Sequence, residues 1–199
     1  MSSRNRTQAP AAHDRYITPP VLVRMAFDQL TERHPEVILN TKHFLEPGCG
    51  PGSFCRAASI YCSQLVGLPV GVEKYPGCKS VVPLKRIRTD FLTYKTPQTF
   101  DLISTNPPFT YAAAFITKAL QLLTDDGVLF FLMRASMLGS KKRRVLWRTI
   151  NLIEVTFIRP RPSFTEGGSD SDEYAFFLID KRDPATAPET VLTWLDWRA

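Results

Sequence analysis

Apolar residues recur along this chain with two alternating periods. Val23, Ala26, Phe27 and Leu30 fall at the spacing of one buried helix face, and Thr18-Pro19-Pro20 ahead of them supplies a Thr cap with proline in the first turn. Lys42 to Glu46 then reads as a short strand ending in a Gly-rich turn, and Ser53 to Cys62 as a helix. Val70-Gly71-Val72-Glu73 predicts a second strand, the stretch around Ile87 a weak third, and Phe100 to Ser104 a fourth, bounded by Asn106-Pro107-Pro108. Ala112, Phe115, Ile116, Ala119, Leu120 and Leu123 lie at i, i+3, i+4, i+7, i+8 and i+11, a helix that Asp125-Asp126-Gly127 ends. Val128 to Met133 is a fully apolar strand. A basic helix follows from about Lys141 to Ile150, then strands near Ile153 to Ile158 and Glu173 to Ile179.

Strands alternating with helices predict a three-layer α/β domain whose mostly parallel sheet is covered on both faces. Residues 1 to 12 read as a flexible arm, and residues 13 to 199 as a single domain without internal repeat or linker. The loop from Glu166 to Asp172 reads as the most flexible interior stretch. Hydrophobic residues at 44% and charged residues at 22% exclude a disordered or collagen-like chain. No apolar run approaches the ~20 residues that span a bilayer, and the polar start is not a secretory signal, so no membrane partner is expected. Cys49, Cys55, Cys62 and Cys78 lack metal-ligand or disulfide-framework spacing. No metal is therefore expected, and a cytoplasmic location is the default.

Charge changes the picture. Net charge is +6 with a pI near 9.3, which favours a polyanionic partner. Between Arg134 and Arg161 stand Arg134, Lys141, Lys142, Arg143, Arg144, Arg148, Arg159 and Arg161 against the single acid Glu154. A helix whose first turn carries four cations is locally unfavourable, and an incoming phosphate would relieve it. The alternative is a solvated basic face.

The segment Phe44-Leu45-Glu46-Pro47-Gly48-Cys49-Gly50-Pro51-Gly52 joins the first strand to its helix, where doubly wound sheets bind ligands. Glycines at 48, 50 and 52 let the backbone approach a ligand, or make an ordinary tight turn. Glu73, 21 residues past Gly52, ends the second strand and can accept hydrogen bonds from both hydroxyls of a ribose. The spacing is neither a dinucleotide fingerprint nor a phosphate loop, and Glu46 would oppose a pyrophosphate. An adenosine carrying an amino acid suits this turn better. Here the sequence resembles the class I S-adenosylmethionine-dependent methyltransferases. The resemblance implies that Glu46 and the turn from Pro47 through Gly52 hold the methionine portion and that Glu73 holds the ribose. Asp90 would bond the adenine amino group with Phe91 flanking its ring, or else cap a loop.

Asn106-Pro107-Pro108-Phe109 carries the most specific chemistry. An exocyclic amine on adenine is a poor nucleophile because its lone pair is delocalised into the ring. Two acceptors holding its hydrogens, the Asn106 side-chain oxygen and the Pro107 carbonyl, would localise that pair. The prolines fix the backbone, and Phe109 offers a face for an extruded base. The run resembles the N-P-P-aromatic motif of methyltransferases acting on planar amine or amide nitrogens, most numerously the DNA N6-adenine enzymes. Tyr16-Ile17-Thr18-Pro19 resembles the segment that closes over the cofactor in those enzymes. Arg161 to Phe164 with Ser169 to Ala175 resembles the last motif of small phage and mobile-element members, in which Phe164 would meet the target base or else pack as a core residue.

The resemblance covers roughly residues 14 to 180. It implies a Rossmann-like methyltransferase sheet with an antiparallel last strand, S-adenosyl-L-methionine as cofactor and DNA as partner. It also implies transfer of a methyl group to N6 of adenine after base flipping. Arg134, Lys141, Lys142, Arg143, Arg144, Arg148 and Arg161 are the expected nucleic-acid contacts. No separate target-recognition domain is recognisable, so site recognition is expected to be short or relaxed. RNA adenine, cytosine N4, a protein glutamine, and an inactive nucleic-acid-binding subunit remain the alternatives.

Overall fold

The structure, a computed structural model, describes residues 17–162, 164, 172–182 and 189–198. Its helices are α1 (Pro20–Arg33), α2 (Pro35–Leu39), α3 (Ser53–Tyr61), α4 (Ala112–Leu120) and α5 (Arg144–Thr149). The strands are β1 (Phe44–Pro47), β2 (Val70–Val72), β3 (Lys85–Ile87), β4 (Phe100–Thr105), β5 (Leu123–Arg134), β6 (Asn151–Arg159), β7 (Tyr174–Asp180) and β8 (Val191–Asp196). They form one sheet in the order β3-β2-β1-β4-β5-β7-β6-β8. β7 is the strand that runs antiparallel to its neighbours β5 and β6; the other pairings are parallel. The mostly parallel three-layer sheet is thus observed, and its antiparallel strand is β7, the last strand expected from the sequence; β8 follows it and pairs in parallel with β6.

Strand alternation makes the layers. Along β5, Phe130 and Leu132 join the core under α1 and α3, whereas Leu129, Phe131 and Met133 join the core under α4. Phe27, Phe44 and Phe54 are fully enclosed in the first core, and Phe131 and Phe177 in the second. Full burial of one such ring stabilises by about 1.5–3 kcal/mol, so these side chains fix the positions of the strand ends. Chain order reverses at β1, which lies between β2 and β4. The turns that leave β1 and β4 therefore open at the same edge, where a crevice forms.

Four local readings are corrected. The helix predicted through Leu123 stops at Leu120. Leu123 instead starts β5 while still packing into the core that holds Phe115, Ile116 and Ala119, which is why the helical stripe seemed to run on. Asp125-Asp126-Gly127 is a bulge rather than a helix end: Phe100 pairs with Leu123 but Leu102 with Val128. A Cβ on Gly127 would lie 2.9 Å from Leu123 and 3.0 Å from the Phe100 carbonyl oxygen, so glycine fits the bulge.

Thr18 does not cap α1. Pro19 occupies that position, and the Thr18 hydroxyl is used elsewhere. The basic helix is shorter than predicted, with residues 141–143 forming a 3₁₀ turn before α5. Finally, β8 was not foreseen. It pairs with β6 from Glu154↔Val191 to Arg159↔Asp196, leaving Trp197 buried and Trp194 53% exposed. Among the described residues, no helix is long and apolar enough to cross a membrane.

Candidate active site

The turn after β1 is built from residues that tolerate left-handed backbone: Gly48, Gly50 and Gly52 have φ of 64°, 48° and 93°. The Cys49 amide donates to the Val72 carbonyl (3.0 Å), and the Gly50 amide to Glu73 Oε2 (2.9 Å). Arg86 Nη2 donates to the Gly50 carbonyl (2.7 Å), so the turn is clamped from β2 and β3. A Cβ on Gly52 would stand 2.9 Å from Leu84 Cδ2, so this glycine serves packing and is not part of the cavity wall. Cys49 is buried beside Gly71, and burial pushes its thiol up to about 12, as befits a filler rather than a nucleophile.

Glu46 closes the buried end of β1. Its carboxylate accepts from the Cys55 amide (2.7 Å) and the Phe54 amide (3.3 Å), the first turn of α3. Burial raises its pKa from 4.5 to about 8 despite those bonds. Glu46, Gly48, Gly50, Glu73, Asp90, Phe91 and Asn106 all line one cavity of about 570 Å³, joined by Thr18 and Pro108. That volume suits a ligand larger than a single base or amino acid. Seven residues expected from three separate segments of sequence and from the Asn106 motif are thereby brought together.

Glu73 is buried and accepts from Gly50 and Tyr75 amides (2.9 Å each), so the carboxylate is fixed in place with further acceptor capacity toward the cavity. Asp90 fills the loop-cap role: it accepts from the Leu92 amide (2.9 Å) and pairs with Lys74 Nζ (3.5 Å) while bordering the cavity. Phe91 packs against Phe115, ring centroids 4.9 Å apart, which sets its orientation at the wall.

At the end of β4, Ser104 and Thr105 anchor the strand through hydroxyl bonds to the Phe130 carbonyl (2.6 Å) and the Pro47 carbonyl (2.5 Å). Asn106 Nδ2 then donates to Thr18 Oγ1 (3.1 Å). Its Oδ1 is buried and, among the described residues, has no hydrogen-bond partner. An unsatisfied buried acceptor typically costs about 1–3 kcal/mol, and at a cavity wall it marks a place where a donor is expected to bind.

Other expected site residues stand elsewhere. Phe109 does not present an open face: it is 9% exposed, tilted against the buried Tyr174 (5.5 Å) with the Arg134 guanidinium 4.6 Å over its ring. The apolar ring is held in by the start of β7, which a local motif could not reveal. Pro107 is buried and Pro19 and Pro47 serve the backbone, so none of the three lines the cavity. Phe164 packs edge-on to Tyr174 at 4.8 Å, nearer the core reading than the base-contact reading. Tyr16 lies outside the described residues.

Of the expected nucleic-acid contacts, Arg134 pairs with Asp172 (3.0 Å) and Arg161 with Glu173 (2.8 Å). Lys141, Lys142, Arg143, Arg144 and Arg148 make no ion pair among the described residues, and the 3₁₀ turn and α5 bury none of them. The sequence reading missed Lys74, Tyr75, Thr89, Tyr111 and Phe115 as wall residues, and Arg86 as a clamp. Tyr111 and Phe115 carried a signal, since they follow the Asn106 motif by a few residues on the next helical turns. Arg86 carried none. Among the described residues, no three His, Cys, Asp or Glu side chains converge where they could hold a metal ion.

Solved proteins share this architecture. A Listeria monocytogenes protein assigned to the class I S-adenosylmethionine-dependent methyltransferases superposes with a TM-score of 0.72 at 14% identity, covering 96% of this chain and 69% of its own. The methyltransferase subunit of a type I restriction-modification system from Streptococcus thermophilus gives 0.65 at 15% identity over 86% of this chain and 45% of its own. A Pyrococcus horikoshii protein assigned as an RNA methyltransferase gives 0.64 at 14% identity over 88% and 92%. This chain thus spans less than half the length of that restriction-modification subunit. No family model matches the chain, and no curated protein matches it in sequence. At these identities the likeness establishes the Rossmann-like methyltransferase fold.

Proposed function

We propose that this protein is an S-adenosyl-L-methionine-dependent methyltransferase acting on the N6 amine of adenine in DNA, with short or relaxed site recognition and a cytoplasmic location. One observation carries the proposal: the buried, unpartnered Oδ1 of Asn106 at the wall of the cavity lined by Glu46, Glu73 and Phe91. The class I neighbours support the cofactor, and the restriction-modification subunits among them support the DNA substrate.

The residues fit the cofactor. Glu46 and the Gly48–Gly50 backbone would hold its amino-acid end, Glu73 its ribose, and Asp90 with Phe91 its adenine. Bound there, it would supply an electrophilic methyl group on a sulfonium. Glu46 is neutralised by burial when alone, and an ammonium beside it would favour the ionised form. Thr18 holds the Asn106 amide by its nitrogen, so the oxygen is the free end. That oxygen would accept one hydrogen of the target amine and localise the nitrogen lone pair. Such preorganised acceptors act by positioning and electrostatics, with no covalent intermediate on the protein.

The test is an assay with S-adenosyl-L-methionine and separate pools of duplex DNA, single-stranded DNA and RNA, each digested to nucleosides for mass spectrometry. N6-methyldeoxyadenosine is expected. N6-methyladenosine from the RNA pool alone would move the substrate to RNA, and N4-methylcytosine would change the base. No methylated nucleoside in any pool, with cofactor binding intact by calorimetry, would overturn the proposal in favour of a protein substrate or a binding subunit.

A further inference from the structure

Phe109 is the aromatic residue of the motif at the end of β4, yet its ring is covered and only 9% exposed. Tyr174, fully buried, tilts against it at 5.5 Å, and the Arg134 guanidinium stands 4.6 Å over its centroid. A stacked base requires that same approach to the ring, so base and guanidinium exclude each other. The guanidinium is tethered in turn, with Nε 3.0 Å from Asp172 Oδ2. The tether is positioned by backbone: Arg134 is registered opposite Tyr174 in the β5–β7 ladder, and the Ala135 amide donates to the Glu173 carbonyl (2.8 Å). Glu173 holds Arg161 in the same way at 2.8 Å.

These acids are weak holders. The side chains of Arg134 and Asp172 are 35% and 37% exposed, where an ion pair shifts an equilibrium by only about 1.5- to 5-fold. A phosphate diester can offer the guanidinium two oxygens where a single Nε–Oδ2 contact to Asp172 is seen, with the rest of the polyanion attached. Arg134 ends β5, beside the end of β4 that carries Asn106, so the phosphate that would reach it belongs to the nucleotide at the site.

We propose that Arg134 occupies the base-stacking face of Phe109 in the free protein and exchanges Asp172 for a substrate phosphate, which clears that face for the extruded base. One guanidinium thereby couples backbone capture to base admission, and Asp172 sets how readily it does so. Arg134 is a positioning residue in this scheme, and the proposal rests on the nucleic-acid substrate proposed above.

Asp172→Asn and Arg134→Ala test it in the full chain, with folding checked by thermal melting. Asp172→Asn should tighten oligonucleotide binding by about 1.5- to 5-fold. It should also steepen the dependence of log K on log salt by up to about 0.9 for duplex DNA. Arg134→Ala should have opposite effects on two substrates. Methylation of free adenosine, which brings no phosphate, should rise because the Phe109 face is open, while kcat/KM on the oligonucleotide should fall. A purely structural role for Arg134 would lower both together. That result, or no gain on adenosine, overturns the proposal, as does an Asp172→Asn protein with unchanged affinity and salt slope. If Arg134→Ala does not fold, the Asp172→Asn measurement decides alone. Should the wild-type protein methylate none of the nucleic-acid pools, the substrate assignment fails and this coupling with it. If it methylates one and the variants respond in parallel, the coupling alone is wrong.

Discussion

Glu46 offers a test of the site that needs no substrate. In the unfolded chain its carboxyl titrates near 4.5, and in the folded protein burial raises this to about 8. The folded state therefore binds the proton more tightly. Its contribution to stability is complete below pH 4.5 and is lost as pH rises through 8. A shift of this size corresponds to about 5 kcal/mol across the window, with a slope of about 1.4 kcal/mol per pH unit. Glu46→Gln removes the titration. The amide oxygen can keep the bond from the Cys55 amide, but its NH₂ then faces the Phe54 amide, a mismatch of about 1–3 kcal/mol.

The two stability curves should therefore cross. Near pH 5 the wild type should be the more stable, and near pH 9 the variant should be. Urea denaturation at fixed ionic strength between pH 5 and 9 measures both. Glu154 does not interfere. Burial alone would raise it, but hydrogen bonds from His34, Thr156, Arg33 and Thr193 outweigh that and bring it to about 2. Its stabilisation is present above the unfolded value and lost only as pH falls towards 2. Parallel curves for wild type and Glu46→Gln would refute the burial argument and with it the picture of a neutral acid waiting for a cation.

Asn106→Ala should lower methylation by about 10²- to 10³-fold while changing the cofactor Kd little, as measured by single-turnover kinetics and calorimetry; loss of cofactor binding instead would assign Asn106 a different role. Replacing Lys141, Lys142, Arg143 and Arg144 by Ala should flatten the salt dependence of duplex DNA binding by up to about 3.6 in the log–log slope, and an unchanged slope would return them to a solvated face. Gly52→Ala should destabilise by about 1–3 kcal/mol in urea titrations, because φ is 93° and the new methyl group would meet Leu84 and Val82; a change below about 0.5 kcal/mol would show that the turn relaxes freely.

Much of the fold was legible because period and punctuation agree wherever a strand is flanked by Gly or Pro. β1, β2 and β4 could be read to within a residue or two, and with them the two turns of the crevice. Leu123 defeated the same logic, since it faces the core of α4 from the start of a strand, and periodicity reports only which core a residue faces. β8 was hidden because its apolar residues Val191, Leu192 and Trp194 are exposed while Thr193 is half-buried, the reverse of apolar-inward alternation. The covering of Phe109 was not legible because its neighbours Arg134 and Tyr174 come from strands far along the chain. Glu46, Glu73 and Asn106 were legible because their chemistry is local: each ends a strand or follows one directly.

The Thr18–Asn106 bond explains how one amide can be committed to one task. An asparagine carboxamide can turn either end toward a ligand, and a site that must accept from an amine needs the oxygen there. Thr18 takes the nitrogen end, and its own carbonyl accepts from Ser53 Oγ at 3.2 Å, which ties the start of α1 to the start of α3. The segment preceding α1 thus joins the Gly-rich turn to the loop after β4, although 88 residues separate Thr18 from Asn106. The β1 and β4 ends are held together independently by the Thr105–Pro47 bond. Side chains from three distant segments therefore fix one rotamer, and the free energy stored in the unpartnered Oδ1 is released only when a donor enters. A crevice arranged in this way binds and orients through the same contacts, as the proposed transfer to an amine would require.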